Sequence, residues 1–378
     1  MERKRIAIAC QGGGSQCAFV AGALKVLFER GIQERFEIVA LSGTSGGALT
    51  AAVAWYGLLK RAQGDRTPVE DRVLALWSDL TAQTPQEIAM DTSCLQAVRL
   101  VERGLLPSVA TSPSSLHFKL MTRALARAIG RPEFTDLRAL IVKHLNFEEL
   151  PTLVRPESPV LLVSASDVID GSFKIFSSAL AEIRPEALLA SAAIPNLFPA
   201  VEVNGHAYWD GIFASNPPIA PLLSKAPMNG HELPEEIWVI QINRAHHSTV
   251  PATSSDIFDR RNQLAGNLSL QHELELLRIV NLILHEYPEA PGLFARFGLD
   301  MRQPIKVRFL RMSSELAESL DYPSKLSRHP AHIGRLLVDG AAQATAFLAE
   351  FDEAGRAAET STNGAIEGVA EHGPLGPA

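Results

Sequence analysis

Residues Phe36 to Gly57 read FEIVALSGTSGGALTAAVAWYG, and the fold can be worked out from this stretch. Ile38-Val39-Ala40-Leu41 is an apolar run of strand length, Ala48 to Leu59 is a small-residue helix, and Gly43-Thr44-Ser45-Gly46-Gly47 joins them. The joint has the form G-x-S-x-G, which in a strand-turn-helix context is the pattern of a nucleophile elbow. The reason is steric. A serine pushed out at a strained turn leaves its neighbours pressed against both the strand and the helix, so the positions two before and two after it have little room for a side chain. Gly43 and Gly47 meet that requirement, and Ser45 becomes the candidate nucleophile. The competing reading is an ordinary glycine-rich turn between strand and helix.

A second stretch bears on that choice. Arg5 to Cys10 predicts a first strand, Gly12-Gly13-Gly14 a tight loop, and Ser15 to Arg30 an amphipathic helix closed by Gly31. Consecutive glycines present backbone N–H groups at a helix N-terminus, where an anionic oxygen is held well. A nucleotide phosphate is the rival ligand. A dinucleotide fingerprint needs glycine where Cys17 stands, and a P-loop needs a Gly-Lys-Ser/Thr that is absent. Gly12, Gly13 and Gly14 therefore read as an oxyanion hole for acyl transfer. The third stretch, Tyr208-Trp209-Asp210-Gly211-Ile212-Phe213-Ala214-Ser215-Asn216-Pro217, places an acid at the end of an apolar hairpin. Taken alone, Asp-Gly is a turn.

Together the three stretches resemble the patatin-like phospholipases. The resemblance extends to Ser164-Ala165-Ser166-Asp167, to Ala190-Ser191-Ala192-Ala193-Ile194-Pro195 and to the spacing between motifs, from about Arg5 to Arg244. It implies a three-layer α/β/α fold with a mostly parallel central sheet, and a Ser-Asp dyad that works without histidine. Carried over by residue, it makes Ser45 the nucleophile, Asp210 its base, and Gly12, Gly13 and Gly14 the oxyanion donors, with Gly211 and Asn216 in support. The chain departs from the pattern at one place. Many members carry Arg or Lys followed by Gly after the glycine run, whereas this chain has Gln16-Cys17.

Composition narrows the field. At 378 residues and 46% hydrophobic content the chain can bury a large core. The three motifs must converge on one site, so a single domain over 1–354 is expected, with an insertion at about 81–113 and a helical extension at about 254–354. A net charge of −7 without a long basic run argues against nucleic acid as a partner. Contact with an anionic membrane surface would have to rest on local apolar surface, transiently. Three cysteines, Cys10, Cys17 and Cys94, without C-x-x-C, suit a reducing compartment. The basic-then-apolar start MERKRIAIAC is cut short by Gln11 and Gly12, too early for a signal sequence. Ile38 to Leu59 is interrupted by Ser-Gly-Thr-Ser-Gly-Gly, so it lacks the ~20 apolar residues of a membrane span. A soluble, cytoplasmic protein is the expectation, with no cofactor, no metal and no stated oligomeric state.

Along the rest of the chain, helices are expected at Val69 to Leu80, Ser114 to Ile129, Phe134 to Val142, Glu186 to Ala193, Phe258 to Leu284 and His332 to Phe351. Strands are expected at Val160 to Ala165, Phe173 to Phe176, Val201 to Val203, Ala207 to Trp209, Glu236 to Ile242 and Ile305 to Leu310. Residues 81–113 look irregular, either a surface excursion or a lid or acyl-binding wall. Beyond about Gly355 the composition favours a disordered tail, 355–378.

The functional expectation is a serine acyl hydrolase cleaving ester-linked fatty acyl groups of phospholipid or neutral glyceride. Two alternatives stand beside it. One is a catalytically silent lipid- or protein-binding member of the fold, suggested by Gln16. The other is a Ser-Asp-His hydrolase using His329 or His332, which follow Ser45 and Asp210 in the required chain order. His246, His247 and His272 read as solvated residues, and no H-E-x-x-H or comparable metal spacing occurs. An aspartate base would place the acid limb of the pH profile well below the ~6.5 of a histidine enzyme.

Overall fold

A computed structural model describes residues 3–367 except 107–111, 114, 130, 196, 225, 229, 231 and 248. Among the described residues, eight strands form one sheet: β1 (Arg5–Cys10), β2 (Glu37–Gly43), β3 (Val160–Asp167), β4 (Phe173–Ser177), β5 (Val201–Val203), β6 (His206–Asp210), β7 (Glu236–Gln241) and β8 (Lys306–Arg311). The order is β5-β6-β3-β2-β1-β7-β8, with β4 also paired to β3. The run from β3 through β8 is parallel. The pairings of β3 with β4 and β6, and of β5 with β6, are antiparallel.

The apolar runs are continuous because the sheet is covered on both faces. Ile6, Ile8 and Cys10 of β1 point into one core while Ala7 and Ala9 point into the other. Trp238 and Ile240 of β7 join the first, and Ile237 and Val239 the second. Helices Ala18–Glu29, Ser45–Ala62 and Pro330–Glu367 supply the first layer, and Ser254–Glu286 the second. This is the mostly parallel α/β architecture the sequence predicts, with β1 and β2 central and Ser45 at the carboxyl end of β2.

Several elements differ from expectation. The helix after the glycine loop is buried almost all round, because Pro330–Glu367 packs over it. Glycines allow the close crossing: a methyl on Gly22 would meet the Leu337 backbone at 2.8 Å, and one on Gly340 the Ala23 nitrogen at 2.9 Å. The stretch read as irregular contains an 18-residue helix, Pro85–Glu102. Its start is marked by a capping box, with Thr84 and Glu87 bonding each other's backbone, and by Pro85 at the first helical position. Phe134 to Val142 is split into Pro132–Thr135 and Leu137–His144, because Asp136 caps the second piece through the amides of Arg138 and Ala139. The final helix continues past 355 to Glu367, consistent with its alanine content; residues 368–378 lie outside the described ones. No helix among the described residues is long and apolar enough to cross a membrane.

Candidate active site

Ser45 begins the helix Ser45–Ala62 directly after β2 and sits in the left-handed region, at φ 54°. That conformation is strained for a side-chain-bearing residue. The packing around it is as tight as the elbow pattern demands. A methyl on Gly43 would meet Ala48 Cα at 2.8 Å, and one on Gly47 would meet the Gln11 carbonyl oxygen at 2.6 Å. The Ser45 amide donates to Ser191 Oγ at 3.0 Å, which explains the small-residue run around Ala190 to Pro195.

Asp210 ends β6, only 1% exposed, and Ser45 is 3% exposed. The Ser45 side chain acts on the Asp210 carboxyl and favours its ionised form. Asp210 also accepts from the Ile212 amide at 2.9 Å, while its own amide donates to the Ala193 carbonyl at 3.0 Å and its carbonyl accepts from Ser166 Oγ at 3.0 Å. Burial pushes the carboxyl up to about 7, against the influence of the Ser45 side chain, the Ile212 amide and the charge of Lys325. Gly211 lies against Ser164, where a methyl would come within 2.7 Å of the Ser164 carbonyl carbon. The hydroxyl of Thr44 donates to the Ser215 carbonyl at 2.6 Å, and that of Ser164 does so at 2.7 Å.

The glycine loop lies beside Ser45, and a methyl on Gly12 would come within 3.0 Å of Ser45 Cβ. The three glycines are not equivalent. The Gly12 amide already donates to Asn216 Oδ1 at 2.7 Å, which occupies that donor. Behind the loop, Gln11 Oε1 accepts from the amides of Ile242 and Asn243 at 2.9 and 2.8 Å, and Gln11 Nε2 donates to Asn267 Oδ1 at 2.9 Å. Asn216 Nδ2 donates to the Gly266 carbonyl at 3.0 Å, and its amide donates to Ser269 Oγ at 3.0 Å. Glu273 accepts from the Ser215 hydroxyl and from the amides of Ile219 and Ala220, both at 2.6 Å. One face of the helix Ser254–Glu286 thus grips both loops.

A cavity of about 370 Å3 opens onto Ser45 and Gly14. Its walls are mostly apolar, including Leu49, Trp77, Phe134, Leu140 and Ile194, and Met90 of the helix Pro85–Glu102 reaches it. Leu197 and Phe198 line it and are also 38% and 41% exposed.

The described histidines lie elsewhere. Asp210 and Ser45 have no histidine partner among the described residues. His329 Nδ1 accepts from the Ala331 amide, and His332 carries a buried Nε2 without a hydrogen-bond partner. Asp167, Asp170 and His206 bring one ligand atom each within 4.8 Å of one another. Asp167 is occupied there by the Ile169 amide at 2.9 Å and by His206 Nδ1 at 2.7 Å, as a turn-capping residue. Cys10 and Cys17 are buried beside the loop, and burial pushes both thiols up. Sequence reasoning missed Gln11, Asn243, Glu273 and Lys325, whose roles depend on residues far along the chain.

A mostly parallel α/β sheet with a serine at a left-handed strand-to-helix turn, beside a buried carboxylate and an apolar cavity, is the layout of an esterase or lipase type of hydrolase. The family model for patatin-like phospholipase matches residues 8–223, more than half of the 378, and the chain belongs to that family. Among solved structures, VipD from Legionella pneumophila is similar at 14% identity and TM-score 0.39, over 93% of this chain and 67% of that one. The ExoU-SpcU complex from the type III secretion system of Pseudomonas aeruginosa is similar at 13% identity and TM-score 0.26, over 78% of this chain and 59% of that one. Human GIVD cytosolic phospholipase A2 is similar at 18% identity and TM-score 0.25, over 47% of this chain and 23% of that one. No curated protein matches the sequence.

Proposed function

We propose that this protein hydrolyses ester-linked fatty acyl groups, of phospholipid or neutral glyceride, with Ser45 as nucleophile and Asp210 as its base. The observation that carries the reading is Ser45, buried and held at φ 54° in the strand-to-helix turn, acting through its side chain on the carboxyl of the buried Asp210. Ser45 Oγ attacks the ester carbonyl carbon as its proton passes to Asp210. The carbonyl oxygen becomes an oxyanion, which accepts from the loop amides at Gly13 and Gly14 and faces the N-terminus of the helix Ser45–Ala62. Collapse breaks the ester C–O bond, and the leaving alkoxide takes the proton from Asp210. A water molecule then attacks the acyl-enzyme, giving its proton to Asp210. The fatty acid leaves as Ser45 Oγ recovers that proton.

The apolar cavity beside Ser45 suits the acyl chain, at about 0.8 kcal/mol for each methylene it removes from water. Leu197 and Phe198, partly exposed at its rim, suit transient contact with a lipid surface. The test is a fluorophosphonate probe together with fatty acid release from a lipid panel, comparing wild type with Ser45→Ala. Wild type should label and turn over, and Ser45→Ala should do neither while keeping its circular dichroism spectrum. Equal labelling of the two would assign the nucleophile to another serine. No labelling and no release by wild type would favour a silent binding module.

A further inference from the structure

Lys325 reaches the glycine loop from well beyond residue 223, where the family match ends. It closes the short turn Pro323–Lys325, which packs on the loop. A methyl on Gly14 would meet the Lys325 carbonyl carbon at 3.1 Å and its Cβ at 3.4 Å, and one on Gly13 would find Lys325 Cε at 3.9 Å. The aliphatic stem therefore runs along the underside of Gly14 and Gly13. At its end, Nζ donates to Asn243 Oδ1 at 2.8 Å, and Asn243 Nδ2 donates to the Gly12 carbonyl at 3.4 Å. Lys325 also lines the cavity that opens onto Ser45.

The neutral residue on the loop holds this arrangement in place. Gln16 Nε2 donates to Ser324 Oγ at 2.9 Å and to the Asp321 carbonyl at 3.4 Å. It thereby clamps the turn that carries the lysine. Among the described residues, Cys17, Asp259 and Asp210 act on Lys325 through charge alone. The ammonium is thus a little-compensated positive charge beneath the loop, in surroundings where charges are poorly screened.

We propose that Lys325 is the cation of the glycine loop: tied to Gly12 through Asn243, its ammonium stabilises the negative charge that develops on the acyl oxygen beside Gly13 and Gly14. The proposal rests on the acyl-hydrolase reading above. Lys325 is a positioning and electrostatic residue, since its hydrogen bond goes to Asn243 and its effect passes through the loop. Burial holds the ammonium down to about 8, while Cys17, Asp259 and Asp210 pull it up. Asp321 and Arg244 face it across the small cavity behind the loop. Its charge, and with it the oxyanion support, is lost as pH rises through about 8.

The experiment compares wild type, Lys325→Met, Lys325→Arg and the double variant Gln16→Arg/Lys325→Met. Kinetics on a short p-nitrophenyl ester are measured across pH, alongside the rate of fluorophosphonate labelling and the melting temperature. Lys325→Met should lower kcat by roughly 10 to 100-fold with KM within about twofold, because the charge acts on the transition state. Its alkaline limb near pH 8 should disappear. Restoring a cation, at 325 or from position 16, should recover roughly tenfold or more. Unchanged kcat in Lys325→Met overturns the proposal. So does a loss that neither arginine variant repairs while the melting temperature falls in all three, which makes the lysine a structural prop. Absence of labelling and turnover in wild type overturns the acyl-hydrolase reading itself, and this inference with it.

Discussion

The amide of Gly12 donates to Asn216 Oδ1 at 2.7 Å, and Asn216 Nδ2 answers to the Gly12 carbonyl at 3.3 Å. This reciprocal pair joins the loop after β1 to the loop after Asp210, so the candidate oxyanion donors and the candidate base are set against each other by one side chain. Asn216→Ala would leave the Gly12 amide buried without an acceptor. A stability loss of roughly 1 to 3 kcal/mol is expected. Displacement of the loop amides should lower kcat by about 10²-fold, on the scale of one lost oxyanion donor. Denaturant unfolding and ester kinetics on one preparation check this, and a destabilised variant with wild-type kcat would make the pair a brace alone.

The pH dependence follows from the burial of Asp210. Its carboxyl lies at about 7 rather than 3.8, so as the base it is ionised only above that value, and kcat/KM should rise through about pH 7. This corrects the expectation from sequence of an acid limb below ~6.5, which assumed a solvated aspartate. A limb near neutrality no longer separates aspartate from histidine, so the separation falls to mutants. Asp210→Asn should lower kcat by roughly 10² to 10⁴-fold, and His329 or His332 substitutions should have little effect.

Stability carries the opposite sign. A carboxyl whose folded value is raised holds its proton more tightly when folded, so its contribution is full below 3.8 and is lost as pH rises through about 7. Asp210→Asn, which cannot ionise, should therefore melt above wild type at pH 8. The gap should shrink through pH 6 and close near pH 4. A gap that is constant with pH, in melting curves across that range, would mean Asp210 titrates alike in the folded and unfolded chain.

What could be read in advance was whatever is local. The elbow announces itself because Gly43, Ser45 and Gly47 meet β2 and the following helix within a few residues, and the parallel strands because both of their faces are apolar. The equal treatment of Gly12, Gly13 and Gly14 could not survive, since the acceptor for Gly12 lies at Asn216. Lys325 had no local mark at all; only folding places it under the loop. The helix Pro85–Glu102 was legible through Thr84-Pro85-Gln86-Glu87, but its weak apolar stripe hid it.

That helix supplies a further prediction, because Met90 faces the cavity. Met90→Trp should shorten the space available to an acyl chain. Losing two methylenes of burial amounts to roughly tenfold in kcat/KM, so long-chain p-nitrophenyl esters should suffer tenfold or more while a butyrate ester stays within about twofold. A chain-length series reads this directly, and a uniform loss across the series would place the acyl chain elsewhere.

The helix Ser254–Glu286 works as a gauge. Asn267 meets Gln11 of the glycine loop, and Glu273 meets the amides that follow Asp210. Six residues of helix separate the two, a rise of about 9 Å. Side chains can vary elsewhere on its outer surface at little cost. The residue count between those two positions cannot, since one inserted residue would turn Glu273 by about 100° and carry it off the loop. The spacing between the glycine loop and the loop that follows Asp210 is thus set in part by arithmetic written into a segment that belongs to neither.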